Sequence, residues 1–207
     1  MFRVTLLAAL LFPALALADE QVRKLDTFYG INVKGPVGVY VEVGKPQSVT
    51  VSGDTEFIRR VVTNVDGGVL RVAFEETKKP TNIKSENRIT ITVPALTSYR
   101  LLGAGESRLK NISGERIDIS FEGAGALIAS GNVKLLRMKA QGVGEINTRD
   151  LHAERADVNF NGMGDVSIHA SDTLNLVVQG MGNIKYYGHP KHLNKSANGL
   201  GNIGAGD

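Results

Sequence analysis

The chain has 207 residues, with 24 Lys and Arg against 21 Asp and Glu, no cysteine and no tryptophan. A net charge of +3 is too small to imply nucleic acid or an acidic polymer as partner. Without cysteine there are no disulfides and no acylation site for a lipoprotein, and with aromatics at 6% only Tyr and Phe are left to stack on sugars or bases.

The first segment reads as an export signal. Arg3 precedes an apolar stretch from Val4 to Leu17, and Ala16-Leu17-Ala18 forms a small-x-small cleavage site. Residues 1–18 are therefore a predicted signal peptide, and the mature chain starts at Asp19. The apolar run is shorter than the ~20 residues a membrane span needs, and no later segment is apolar enough to cross. The rest is long enough for one domain, 19–207.

Residues 19–98 read as β-rich without a strict repeat. Val37, Val39, Val41 and Val43 alternate with smaller or polar residues, a period of two. Val49 and Val51 mark another strand, and Thr55 to Thr63 has a brief helical pattern. Asp66-Gly67-Gly68 supplies the positive φ of a tight hairpin, with Leu70, Val72 and Phe74 continuing after it. Glu75 to Asn87 is polar and reads as an exposed loop. Ile89, Ile91 and Val93 form a further strand that Pro94 ends.

From Tyr99 to the end the chain repeats. Gly-x-Gly triplets begin at Gly103, Gly123, Gly142, Gly162, Gly180 and Gly199, at steps of 20, 19, 20, 18 and 19 residues. The positions two, four and six before each triplet, and four and six past its first glycine, are mostly apolar, as in Leu136, Met138 and Ala140 or Val166 and Ile168. Those between are mostly polar, so the apolar set shares one side of a strand. A fixed period with a glycine corner predicts an all-β fold, a parallel β-helix (solenoid) of about 19–20 residues per coil. At a strand spacing of ~4.8 Å the repeat region would be a rod of roughly 25–30 Å. The glycines serve the corners. Gly142-Val143-Gly144 lacks the third glycine and the helix of a dinucleotide-binding loop.

Gly142-Val143-Gly144-Glu145-Ile146-Asn147, Gly180-Met181-Gly182-Asn183-Ile184, Gly199-Leu200-Gly201-Asn202-Ile203 and Tyr186-Tyr187-Gly188-His189-Pro190 together resemble the GIN-domain family of putative autotransporter-adhesin head domains. The likeness runs from Phe28 to Ile203 and includes Gly53-Asp54. It implies a secreted right-handed β-helix in a Gram-negative envelope, adhesive or structural, without established catalytic residues. The chain ends at Asp207 with neither a long passenger nor a C-terminal barrel, so a periplasmic location stands beside the cell surface.

Several constellations remain. Glu106, Ala126, Glu145, Asp165, Asn183 and Asn202 occupy one column three residues past the first glycine. A cation ladder is one reading of Glu106, Glu145 and Asp165; turn chemistry is the simpler one. His152 and His169 fall at different offsets and are not expected to stack, and His189 and His192 flank Pro190 without a metal-site pattern. Asp150, Glu154 and Asp157 with Arg149 and Arg155 are the carboxylates and bases that a polysaccharide lyase or hydrolase would need, but read as a solvated face. Met163, Met181 and Leu200, in the middle of successive triplets, are expected in the core rather than in an outer stripe. No catalytic, cofactor-binding or metal residue is assigned. The partners expected are an envelope or surface ligand, protein or glycan, and a second copy through the final strand edge. The alternatives to a binding domain are a carbohydrate-active β-helix enzyme and a self-assembling scaffold.

Overall fold

The computed structural model describes residues 19–75 and 87–206. The signal segment and most of the polar loop before Asn87 lie outside them. The fold is all-β. Among the described residues nine strands join one large mixed sheet: β1 Asp19–Val22, β2 Gly30–Lys34, β3 Gly38–Val43, β4 Ser48–Gly53, β5 Val61–Asp66, β6 Val69–Phe74, β7 Arg88–Val93, β8 Ser98–Tyr187 and β9 His192–Ala205. One short helix, α1 Thr55–Arg60, interrupts them.

The helix forms where the sequence suggests it. The Asp54 carboxylate accepts from the Phe57 amide at 2.8 Å, capping the first turn. Phe57 is buried, its ring 5.8 Å from that of Phe74. Arg60 is buried too. Its guanidinium lies over Phe74 and donates to the Glu75 carbonyl at 2.8 and 2.6 Å, which satisfies the charge in a tight place. Directly after α1, β5 and β6 pair antiparallel through Gly67 and Gly68, with φ of 58° and 74°, the hairpin that the Asp-Gly-Gly sequence demands.

The long β8 carries five triplets, and β9 carries the sixth. β9 pairs in parallel with the end of β8, so that Gly180 faces Gly199 and Ile184 faces Ile203. The same stacking runs back along the chain. A Cβ on Gly123, Gly142, Gly162, Gly180 or Gly199 would collide with the carbonyl oxygen of the glycine one repeat earlier. Gly142 also has φ of 130°, open to glycine and not to other residues. The corners are glycine because backbone packs on backbone there.

Part of the segment that looks irregular in sequence shares this register. β2 pairs in parallel with the strand before the first triplet, Ile31 opposite Tyr99, and β3 with the strand after it, Val41 opposite Leu109. Between them Gly35-Pro36-Val37 forms the corner: a Cβ on Gly103 would meet Gly35, and one on Gly105 would meet Val37. On the far side β2 pairs with β6 and β3 with β7, again in parallel. A valine in place of the second glycine hides this corner from a Gly-x-Gly search.

The apolar columns form one continuous core. Tyr99, Ile119, Met138, Val158 and Leu176 are buried, as are Leu101, Phe121, Ala140, Phe160 and Val178. The last repeat departs from this. Lys195 and Ala197 stand in those columns and are exposed, because nothing described packs on β9 beyond β8.

Candidate binding surface

Turning the apolar columns inward necessarily turns their neighbours outward. Five residues before the triplets stand Ser98, Asp118, Arg137, Asp157, Asn175 and Asn194; three before stand Arg100, Ser120, Lys139, Asn159, Val177 and Ser196. Residues of the first five repeats in these columns line a shallow groove of about 560 Å³.

Side chains are linked from one repeat to the next. The Asn194 amide donates to Asn175 Oδ1 at 2.8 Å, and the Asn175 amide donates to Asp157 Oδ1 at 2.6 Å. Arg155 reaches the same carboxylate at 3.1 Å. Arg116 holds Asp118 with two bonds of 2.9 and 2.6 Å, and Arg100 donates to Glu122 at 2.8 Å. Burial opposes the charged form of Asp157. The bonds from Asn175 and Arg155, with the fields of Arg155 and Arg137, outweigh it and hold the carboxyl below its usual range.

The other constellations fall apart or move. Of the five residues considered for catalysis, only Asp157 and Arg155 meet on this face. The Arg149 guanidinium lies 4.5 Å from the centre of the Tyr187 ring, and Glu154 lines a second groove with His152 and His169. Those histidines do stack, with ring centres 4.4 Å apart, contrary to the expectation from their offsets. The reason lies in the return segment. The offset between neighbouring repeats is 20 residues where Gly162 packs on Gly142 and 18 where Asn175 meets Asp157, so two residues are absorbed in the return segment between. Counting from the triplet therefore loses register there.

In the acidic column, Asp165 accepts from the backbone and side-chain nitrogens of Asn183 at 3.3 and 3.0 Å, and Glu106 pairs with Arg108. Among the described residues no three His, Cys, Asp or Glu side chains gather closely enough to hold a metal.

Met163, Met181 and Leu200 are not core residues. They are 45%, 46% and 75% exposed, and Val143 is 49% exposed. The flanking glycines press their backbones together, so the residue between them projects outward. Together they form an apolar ridge along the corners.

The comparisons bear on what this surface belongs to. A family described as "Putative auto-transporter adhesin, head GIN domain" matches residues 27–190. The chain belongs to the GIN-domain family. No curated protein matches this GIN domain. Among solved structures it is similar to a putative adhesin from Bacteroides fragilis, with a TM-score of 0.67 at 22% identity over 92% of this chain and 97% of that one. It is also similar to a putative lipid binding protein from Parabacteroides distasonis, with a TM-score of 0.50 at 20% identity over 93% and 98%. At these identities the likeness is one of fold. Among the described residues no helix is long and apolar enough to cross a membrane.

The groove is the feature that the sequence reading passed over. Its signal was present in the same alignment, as the polar columns between the apolar ones. Only the shared outward direction makes them a surface.

Proposed function

We propose that this GIN domain is exported by the segment ahead of Asp19 and acts in the bacterial envelope as a non-enzymatic binding domain, adhesive or structural. The chain winds as a right-handed parallel β-helix whose stacked triplets set equivalent side chains side by side. The observation that carries the reading is the groove, continuous over five repeats, in which Arg, Lys, Asp, Asn and Ser side chains border a mostly apolar lining. Such a surface engages an extended ligand at many weak points rather than one reacting centre.

The enzyme alternative has one observation in its favour, since Asp118 and Asp157 share the groove. Glycoside hydrolysis needs one carboxyl kept protonated as the acid. Both carboxylates are instead paired with arginines, and that of Asp157 is held low. This supports binding over turnover.

Sedimentation of the purified chain with envelope fractions tests the reading. Binding without release of new reducing ends or unsaturated sugars is expected. Release of such ends would turn the assignment to an enzyme, and sedimentation of the chain alone as a large assembly would favour the scaffold.

A further inference from the structure

The groove is lined by more cations than anions, Arg100, Arg137 and Lys139 against Asp118 and Asp157. Both acidic residues meet an arginine, Asp118 with Arg116 and Asp157 with Arg155, and Arg100 pairs with Glu122 beside the groove. Arg137 and Lys139 are exposed and make no direct ion pair among the described residues, although the field of Arg137 reaches Asp157. Two residues apart on one strand, they face the same way at about 7 Å. Two neighbouring cations whose head groups bond no carboxylate directly, set in a concave surface, attract an anion, and the guanidinium offers a two-point grip on carboxylate or phosphate.

The surroundings narrow the ligand further. Asn159 supplies an amide that both donates and accepts, as sugar hydroxyls require, while Asn175, bonded to Asp157 and Asn194, adds its second N–H and Ser120, turned toward Glu122, adds an acceptor. The groove lies on the face of the sheet, away from its edges, so a peptide could not add to it as a strand. Equivalent side chains recur at the strand spacing of ~4.8 Å, whereas an extended peptide advances by ~3.3 Å per residue.

We infer that the groove binds an acidic glycan chain, with an anionic group between Arg137 and Lys139 and its hydroxyls on Ser120, Asn159 and Asn175. The inference rests on the binding function proposed above and names its ligand class.

Titration calorimetry of the purified chain with oligogalacturonate, its methyl ester and poly-glutamate tests it. Oligogalacturonate is expected to bind, with the neutral ester at least about 10-fold weaker and added salt weakening the acid form. The double variant Arg137→Gln/Lys139→Gln should lose at least about 10-fold in affinity. It should remain folded, with its unfolding midpoint lowered only by the lost field of Arg137 on Asp157, and Lys185→Gln, outside the groove, should bind as wild type. Equal binding of the ester, full binding by the double variant, or poly-glutamate binding as tight as the glycan overturns the inference. If the chain binds envelope fractions but not oligogalacturonate, the ligand class is wrong and the binding function stands. If it binds neither, both fail.

Discussion

The Tyr99 hydroxyl lies 2.7 Å from Ser107 Oγ, and both side chains are buried on opposite sides of the Gly103-Ala104-Gly105 corner. The bond ties the two limbs of the first repeat together inside the core. Burial pushes the Tyr99 phenol up, opposed in part by the bond to Ser107.

Tyr99→Phe should therefore destabilise the domain by about 1–2 kcal/mol, because the Ser107 hydroxyl stays buried without its partner. Ser107→Ala should cost a similar amount, and the double variant less than the sum. Urea unfolding of the three variants measures this.

The same pair gives an alkaline signature. A phenol whose folded pKa is raised contributes stability that is complete below its unfolded pKa of about 10 and is lost as pH rises toward the folded value. Wild type should lose stability above about pH 10 more steeply than Tyr99→Phe, measured by unfolding midpoints at pH 8 and above. Parallel curves would show that the phenol does not titrate with unfolding.

Asp157 has the opposite sign. Its carboxyl is held low in the folded state, so its stabilisation is complete above the unfolded carboxyl pKa of about 4 and disappears as pH falls through the folded value. Asp157→Asn should lower stability at pH 7 and flatten the acid limb below about pH 4. A variant with an unchanged acid limb would place the acid sensitivity on other carboxylates.

Two glycines, one in a corner and one outside the triplets, separate two causes of strain. Gly114 has φ of 132° but open space where a Cβ would go, whereas Gly142 has both a positive φ and the Gly123 carbonyl in the way. Gly114→Ala should cost about 1–2 kcal/mol from backbone strain alone. Gly142→Ala should cost clearly more, or yield no folded protein. Equal costs in urea unfolding would mean that the stacking does not demand glycine.

The exposed ridge makes the reverse test. Met163→Gln and Met181→Gln should each change stability by no more than about 0.5 kcal/mol, as surface substitutions do. Losses of about 2–5 kcal/mol would return these residues to the core.

The repeat made most of the fold legible. Spacing alone marked the corners, and alternation marked which side chains turn inward, down to Leu136, Met138 and Ala140. Three things were not legible, each for a physical reason. The Gly35-Pro36-Val37 corner lacks its second glycine, and it joins the first triplet only through long-range pairing. The His152–His169 contact depends on a slip in the return segment that no local pattern reveals. The direction of Met163 and Met181 is set by the close approach of flanking backbones, so their hydrophobicity pointed the wrong way.

The central claim is that the outward face built by stacked repeats is the binding surface. The most direct measurement is sedimentation of the purified chain with envelope fractions, comparing wild type, a filled groove (Ser120→Tyr/Asn159→Tyr) and an altered ridge (Met163→Gln/Met181→Gln). The account predicts that the filled groove loses at least about 10-fold in binding while the altered ridge binds as wild type. Full binding by the filled groove, with loss in the ridge variant, would contradict it.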